Sequence, residues 1–205
     1  MGNNIEKLSL LIIGYDPYID VWNHCFELLN KYWTDRPITY LITNTAVPNY
    51  PKVKVIPAGE DAEWSKKVQI ALEHIKTDYV ILFLEDFFIT RTVDTKRISK
   101  LMDSIIKENI QYCKLLNESR IKGKIFASNK HWHIIDKSVE YGISLQPAIW
   151  NVNFLKEKVG KDNYNAWIFE YNQVKNKGWN EKNIDCIADD SNPLEVTHAV
   201  VQSQY

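Results

Sequence analysis

The sequence contains few cysteines, and no two of them stand close together. The three are Cys25, Cys113 and Cys186, an odd number at long spacings. This pattern argues against a disulfide framework and against a clustered zinc site, and it is typical of a protein kept in a reducing compartment. We therefore expect a cytoplasmic protein.

Targeting and membrane signals are also lacking. The N-terminal stretch MGNNIEKLSLLIIG has an apolar run too short to cross a bilayer, and it has neither a basic leader nor a small-residue cleavage site. Met1-Gly2 is followed by Glu6, where a myristoylation signal requires Ser or Thr. The sequence thus predicts no span, no signal peptide and no acyl anchor.

Several common functional signatures are missing. The formal net charge is -1, which gives no bulk attraction for nucleic acid. No glycine-rich phosphate loop follows the first predicted strand, and no Gly-x-Ser-x-Gly elbow occurs, so a dinucleotide fold, a P-loop and an α/β-hydrolase are disfavoured. His131 and His133 have no Cys or acid at metal-ligand spacing, which favours an exposed strand or turn there.

The first half of the chain alternates buried-type strands with amphipathic helices. At 205 residues the chain fits one α/β domain. The alternation predicts a parallel sheet with right-handed crossovers. The predicted elements are strands at Lys7–Gly14, Ile38–Thr43, Val53–Ile56 and Val80–Leu84, a helix through Trp22, Cys25, Phe26, Leu29 and Trp33, a helix at Asp61–Lys76 with acids in its first turn, and a helix capped by Thr92 or Asp94.

The second half has short strand-like segments separated by polar turns, so its part of the sheet is expected to be antiparallel or mixed. The predicted strands are Tyr112–Leu116, Ile125–Ala127, His133–Ile135, Ile143–Ala148 and Val196–Val201, and the predicted helices begin at Asn151 or Asn153 and span Asn165–Lys177 with Gly178 as the stop.

One stretch, TDYVILFLEDFFIT from Thr77 to Thr90, indicates a site. Its continuous apolar run predicts a strand buried on both faces, and Glu85 and Asp86 follow where that strand ends. Two acids there are costly unless they meet a cation, a sugar or water. Ligands bind at the carboxyl ends of strands in open α/β sheets. The alternative is that both acids cap the next turn.

The segments YDPYIDVW, AEWSKKVQIALEHIKTDYVILFLEDFF and ISLQPAIW, set in this arrangement of elements, resemble the GT-A glycosyltransferases of bacterial polysaccharide biosynthesis. The resemblance implies an α/β, Rossmann-like, three-layer GT-A (nucleotide-diphospho-sugar transferase) fold. Its central sheet would be mostly parallel, with a mixed C-terminal half. It also implies a single domain, 1–205, in which residues 1–110 bind the nucleotide and residues 111–205 face the acceptor.

The implied activity is transfer of a sugar from a nucleotide sugar to a glycan or lipid-linked acceptor, without nucleic acid as a partner. Peripheral association with the inner face of the membrane is compatible with it. In that family an Asp-x-Asp-like motif holds a divalent cation, Mn²⁺ or Mg²⁺. This chain has Glu85-Asp86-Phe87 instead, so the last acid is missing. Either Asp86 binds the metal, or the acids bind sugar hydroxyls without it.

The resemblance also implies two roles in the second half. Glu170, in AWIFEYN, would be the general base that deprotonates the acceptor, and Phe169 and Tyr171 beside it would raise its pKa. A base in that place implies inversion at the anomeric carbon, whereas the alternative for Glu170 is a solvated helix face. His198 would be a second metal ligand, although a hydrogen-bonded core histidine is slightly favoured for it.

The donor nucleotide is expected at the first two strand ends and at the start of the helix before the acids. By position in the fold, Tyr15, Asp16 and Asn44 would hold the base and ribose. Trp64, Ser65 and Lys66 would face the base or phosphates. Trp64 also fits the apolar stripe of its helix, which favours core packing for it.

Two other functions stay open. A sugar nucleotidyltransferase would share the α/β half and need metal carboxylates, but it should carry a glycine-rich, basic loop where this chain has GYDPYID. A non-catalytic subunit that binds nucleotide sugars is compatible with the missing last acid.

Overall fold

An eight-stranded mixed sheet forms the centre of the computed structural model, which describes residues 4–116, 124–126, 129–136, 139–175 and 186–199. The strands are β1 (Leu8–Ile13), β2 (Ile38–Thr43), β3 (Val53–Pro57), β4 (Tyr79–Leu84), β5 (Phe87–Ile89), β6 (Tyr112–Lys114), β7 (Trp132–Ile134), β8 (Ala148–Asn151), β9 (Cys186–Asp189) and β10 (Val196–His198). The helices are α1 (Ile19–Tyr32), α2 (Trp64–His74), α3 (Thr95–Lys107), α4 (Val152–Val159) and α5 (Ala166–Lys175).

The strand order in the main sheet is β3-β2-β1-β4-β8-β6-β9-β7. The first four strands are parallel to their neighbours, whereas β8 runs antiparallel to both β4 and β6, and β7 runs antiparallel to β9. The prediction of a mostly parallel sheet that becomes mixed in the second half is confirmed.

Helices cover both faces of this sheet. Helices α1 and α3 pack on one face, and α2, α4 and α5 pack on the other. Because side chains alternate along a strand, Leu10 and Ile81 enter the first apolar layer while Leu11 and Leu82 enter the second. Burial on both faces explains why β1 and β4 are continuous apolar runs.

The helices begin and end close to their predicted limits. Of the two predicted caps for α3, Asp94 takes the role, since its side chain accepts from the backbone N–H of Arg97. Asn151 caps α4, and Gly160 follows its end at φ 70°. The prediction of acids in the first turn of α2 is wrong, because Asp61 and Glu63 precede the first residue of that helix.

The chain after the acids forms a strand that was not predicted. After Leu84 it leaves the main sheet, and β5 pairs antiparallel with β10 in a separate two-stranded sheet. In this pairing Phe87 lies opposite His198. The residues that follow the two acids are therefore held by the far end of the described chain.

Other boundaries differ in the second half. The strand predicted at Ile143–Ala148 occurs instead at β8, and residues 143–147 lead into it. Ile125 forms only an isolated bridge with His133. The predicted positions Ala127, Gly178, Val200 and Val201 lie outside the described residues. None of the helices in the described ranges combines the length and apolar character needed to cross a membrane.

Candidate functional site

The candidate site lies where parallel strands β2, β1 and β4 end side by side. Strand order reverses between β1 and β4, because β2 and β3 follow β1 to one side and β4 lies on the other. Such a switch point is where open α/β sheets bind ligands. The region at these strand ends, defined by Tyr15, Asn44, Glu85 and Asp86, is called the strand-end crevice below. A hydrogen bond of 3.0 Å links the residues after β1 and β4, since the backbone N–H of Tyr15 donates to Glu85 Oε1.

Lys67 is a buried residue that contacts the strand-end crevice from α2. Its Nζ donates to the carbonyl of Gly14 and to Oδ1 of Asn44, both at 2.7 Å, and lies 5.5 Å from the centre of the Tyr15 ring. Although it is a lysine, it is only 4% exposed. Burial lowers the pKa of Lys67, and the negative charges of Glu85 and Asp16 oppose that shift. Lys67 thus joins the ends of β1 and β2 through α2.

Sequence reasoning missed Lys67. A signal was present, since the second lysine of WSKKV occupies a position of the apolar stripe that contains Trp64, Val68 and Ala71. A lysine on the core face of a helix requires acceptors for its ammonium group. The neighbouring Lys66 is exposed.

Asp16 shapes the loop after β2. Its carboxylate accepts hydrogen bonds from the backbone N–H groups of Asn44, Thr45 and Ala46 and from the Thr45 hydroxyl, at 2.7 to 3.0 Å. Burial raises the pKa of Asp16, but these four hydrogen bonds together outweigh it and leave the pKa lowered. Its predicted contact with the nucleotide stays a prediction, because its observed partners are all in the protein.

Asn44 and Tyr15 have different surroundings. The Asn44 side-chain N–H₂ donates to the carbonyls of Glu60 and Ala62, each at 3.0 Å, while its oxygen accepts from Lys67. Tyr15 is 51% exposed and presents a ring that could stack on a base. Asn44 thus links the end of β2 to the loop before α2 and to Lys67, whereas the ring of Tyr15 is exposed to solvent.

Glu85 is buried at the switch point. It is 7% exposed, and burial raises its pKa to about 7, helped by the charge of Asp86 and opposed by the Tyr15 N–H and by Lys67. The prediction that the two acids follow the end of the buried strand is confirmed, since β4 ends at Leu84. Glu85 and Asp86 form the turn between β4 and β5, so the alternative that they cap this turn stays open.

Asp86 has an oxygen that lacks a partner. Its Oδ1 is buried and makes no hydrogen bond to any described residue. Burial raises the pKa of Asp86, and the nearby His198 only partly opposes that shift. His198 is exposed, and its ring lies 4.2 Å from that of Phe87. The favoured interpretation of His198 as a core histidine is therefore wrong. The backbone carbonyl of Asp86 accepts from the Ala199 N–H at 2.7 Å, which holds β10 beside it.

The missing last acid of the motif has a structural reason. Phe87 is 3% exposed and packs in the apolar layer under α1, so the side chain at this position points into the core. Among the described residues, no three His, Cys, Asp or Glu side chains come together as a metal site. Mg²⁺ and Mn²⁺ commonly use one or two protein ligands plus substrate phosphates. Asp86 Oδ1 with His198 beside it fits such a cation.

Trp64 and Ser65 have partners in the core rather than in the strand-end crevice. Trp64 is 6% exposed and its ring lies 4.7 Å from that of Phe169. The Ser65 hydroxyl donates to the carbonyl of Asp162 and accepts from the N–H of Tyr164. Trp64 thus packs α2 against α5, and Ser65 holds the loop between α4 and α5. The contacts predicted for these two residues with the nucleotide sugar stay predictions.

Glu170 contacts the loop that leads into β8. Its Oε1 accepts the backbone N–H of Leu145 at 2.9 Å, and the residue is partly buried. Its neighbours differ from each other, because Phe169 is buried while Tyr171 is 55% exposed. The alternative of a solvated helix face does not describe Glu170. Since β8 starts at the edge where β4 ends, Glu170 holds the segment before β8 at that same edge.

An acid that is distant in sequence contacts both His133 of β7 and His131, which precedes that strand. Asp190, after β9, contacts His131 Nδ1 with one oxygen and His133 Nε2 with the other, both at 2.9 Å. The hydrogen bond from His133 is the largest cause that lowers the pKa of Asp190. The expectation that no acid stands near these histidines holds only along the sequence and not in space.

The sheet order and the helical layers on its two faces form a GT-A-like fold. The solved structures that share it include S. aureus TarS, a teichoic acid glycosyltransferase, with a TM-score of 0.60 and 12% identity over 94% of this chain. A TarS 1-349 structure matches with a TM-score of 0.52 and 13% identity over 82% of this chain.

These matches show the fold and extend no further. The chain spans 36% of the first TarS structure and 55% of the second. No protein-family profile matches the chain. No curated protein matches it either.

Proposed function

We propose that the chain is a glycosyltransferase that moves a sugar from a nucleotide-sugar donor to a glycan or lipid-linked acceptor in the synthesis of a bacterial surface polysaccharide. The observation that carries this proposal is the unpaired, buried Oδ1 of Asp86 beside the switch point of a GT-A fold. A buried acceptor without a partner is costly, and a ligand at this place would supply what it lacks.

The residues of the strand-end crevice suit the parts of a nucleotide sugar. Tyr15 offers an exposed ring for the base, and Lys67 holds Asn44 and Gly14 in place beneath it. Asp86, with His198, would hold a divalent cation, which when bound would neutralise the diphosphate of the leaving nucleotide. Glu85 accepts the backbone N–H of Tyr15, and this hydrogen bond fixes the position of Tyr15 relative to Asp86.

The proposed reaction is a single displacement. An acceptor hydroxyl oxygen forms a bond to the anomeric carbon as the bond from that carbon to the diphosphate oxygen breaks. The hydroxyl proton passes to the Glu170 carboxylate, and the electron pair of the broken bond stays on the nucleoside diphosphate. Attack opposite the leaving group inverts the anomeric carbon.

A second candidate is a non-catalytic subunit that binds nucleotide sugars. The contact between Glu170 Oε1 and the Leu145 N–H favours it, because this contact gives Glu170 a purely structural task. Such a protein would bind donor without turnover, and replacement of Glu170 would leave donor binding unchanged.

The test is a thermal-shift screen of nucleoside diphosphates and their sugars, with Mn²⁺ or with a chelator. We expect one nucleotide series to raise Tm, and Mn²⁺ to enlarge that rise. If no nucleotide shifts Tm, the proposed function is wrong. A shift that the chelator does not change would overturn the cation assignment alone.

A matched pair of variants localises the response. Asp86→Asn should remove the Mn²⁺-dependent part of the shift, since it removes the charge that holds the cation. Asp162→Asn, on an exposed loop residue after α4, is the control and should respond like the original chain. Equal responses from the two variants would contradict the role of Asp86.

A further inference from the structure

We infer that Gln146 reads a hydroxyl group of the transferred sugar and thereby contributes to donor selection. This inference rests on the proposed function and concerns the sugar rather than the nucleotide. The feature that motivates it is a second unpaired acceptor beside the strand-end crevice: Gln146 Oε1 is buried and has no hydrogen-bond partner among the described residues.

Gln146 lies in the segment that leads into β8, the strand that neighbours β4. It stands two residues before Ala148, which pairs with Leu82 of β4 and with Lys114 of β6. Because β8 runs antiparallel to β4, the start of β8 lies at the edge where β4 ends. Continuing the register by two residues places Gln146 opposite Leu84, just before Glu85 and Asp86. Two residues of extended chain span about 7 Å, so Gln146 stands at the edge of the sheet where β4 ends and the two acids follow.

The backbone around Gln146 is held on both sides. The carbonyl of Pro147 accepts from the Leu115 N–H at 3.0 Å, and the N–H of Leu145 donates to Glu170 Oε1 at 2.9 Å. Ser144 is 3% exposed, and its backbone is within 3.5 Å of the Tyr112 hydroxyl. Gln146 therefore projects from a fixed segment, which is what selective recognition of a ligand requires.

The chemistry of Gln146 Oε1 determines which part of the nucleotide sugar it can contact. A carboxamide oxygen and an ionised carboxylate oxygen only accept hydrogen bonds. A diphosphate at neutral pH carries acceptors as well, so it cannot satisfy Gln146. The base is expected on the other side of β4, near Tyr15. A hydroxyl group of the sugar ring supplies the donor that Gln146 Oε1 lacks, while Asp86 is left to hold the cation.

The test compares Gln146→Met with Gln111→Met. Methionine has nearly the length of glutamine but cannot accept the hydrogen bond. Gln111, whose amide bonds to the Asn109 carbonyl, lies at the opposite edge of the sheet, where β6 begins, and serves as the control. Dissociation constants are measured in Mn²⁺ for the nucleoside diphosphate that shifts Tm most, and for its sugar derivatives and their epimers.

We expect Gln146→Met to weaken binding of the preferred nucleotide sugar by about 3- to 10-fold, the effect of one hydrogen bond. Binding of the nucleoside diphosphate without sugar should stay the same, and preference among epimers should decrease. Since the change removes an unpaired buried oxygen, Tm of the unliganded protein should rise by about 2 °C. Gln111→Met should do none of these things.

The other outcomes separate the two hypotheses. Equal losses for the nucleotide with and without sugar would overturn the inference, because they would make Gln146 a ligand of the cation or diphosphate. Unchanged affinities, or a lower Tm with unchanged affinities, would also overturn it and leave the proposed function intact. If the original chain binds neither nucleotides nor nucleotide sugars, the proposed function fails first and this inference fails with it.

Discussion

Lys67 satisfies acceptors on two different strands with a single ammonium group. Replacement by methionine keeps most of the apolar stem but leaves Gly14 O and Asn44 Oδ1 without their donor. We expect Lys67→Met to lower the free energy of unfolding by about 1–3 kcal/mol, the usual cost of unsatisfied buried polar groups, measured by urea denaturation. Lys66→Met, at the exposed neighbour, should change it by less than about 0.5 kcal/mol. Equal stability of the two variants would contradict the role of Lys67.

Asp16 gives the chain a pH dependence with a definite sign. Its folded pKa lies below the ordinary value of 3.8, so its stabilising effect is present above that value and is lost as the pH falls through the folded pKa. Asp16→Asn should therefore destabilise the protein at pH 7, by about 1–3 kcal/mol, and progressively less below pH 4. The check is a set of urea denaturations between pH 3 and pH 7, with Asp162→Asn as the control. A cost independent of pH would show that shape and not charge matters.

Glu170 can be tested for catalysis without disturbing its structural contact. Glutamine keeps an oxygen that can accept the Leu145 N–H, but it cannot take a proton from the acceptor hydroxyl. We expect Glu170→Gln to reduce turnover by about 10²- to 10⁴-fold, the usual contribution of a general base, with the dissociation constant for donor unchanged. Glu157→Gln, at an exposed position of α4, is the control. Turnover that survives in Glu170→Gln would assign the base to another residue.

At the scale of elements, the periodicity of apolar residues predicted α1 to α5 and the first four strands, because each is a local pattern with its own period. The pairing of β5 with β10 was not predictable in this way. Phe87 and His198 meet across a long stretch of chain, and nothing near either residue indicates the other. The contact of Asp190 with the two histidines was missed for the same reason.

The site was predictable to a similar extent. Glu85 and Asp86 could be found because two acids after a fully apolar strand are costly, and their position at a strand end follows from the α/β order. Lys67 was missed because apolar residues mark a helix stripe, whereas its partners, Gly14 and Asn44, come from other strand ends. The sequence likewise could not show that one oxygen of Glu170 is taken up by a backbone N–H.

The small sheet of β5 and β10 positions His198, which can be tested by breaking one hydrogen bond. Proline at position 199 lacks the N–H that donates to the Asp86 carbonyl. We expect Ala199→Pro to cost about 1 kcal/mol of stability and to remove the Mn²⁺-dependent part of the nucleotide thermal shift. Ala199→Gly keeps the N–H and serves as the control. If Ala199→Pro keeps the full Mn²⁺ response, His198 has no part in holding the cation.

At the scale of the whole molecule, the two edges of the sheet offer different binding places. The strand-end crevice lies at one edge. At the other, where β1 and β4 begin, is a cavity of about 340 Å³ lined by residues that include Thr77, Asp78, Asn109 and Asn151. Its lining residues carry none of the unpaired buried oxygens that mark Asp86 and Gln146 in the described part of the chain. The chemistry of the side chains therefore favours the strand-end crevice.

Hydrogen exchange distinguishes these edges in a single experiment on the full chain. Amides of β1 and β4 should already exchange slowly, since both strands lie inside the sheet with their side chains buried. With the nucleoside diphosphate that shifts Tm most, we expect additional protection at residues 14–16, 43–46 and 85–87 and none at 77–79 or 109–111. The reason is that a bound ligand suppresses local opening of the segments that it contacts. Protection confined to 77–79 and 109–111 would place the nucleotide in the cavity and overturn the assignment of the strand-end crevice.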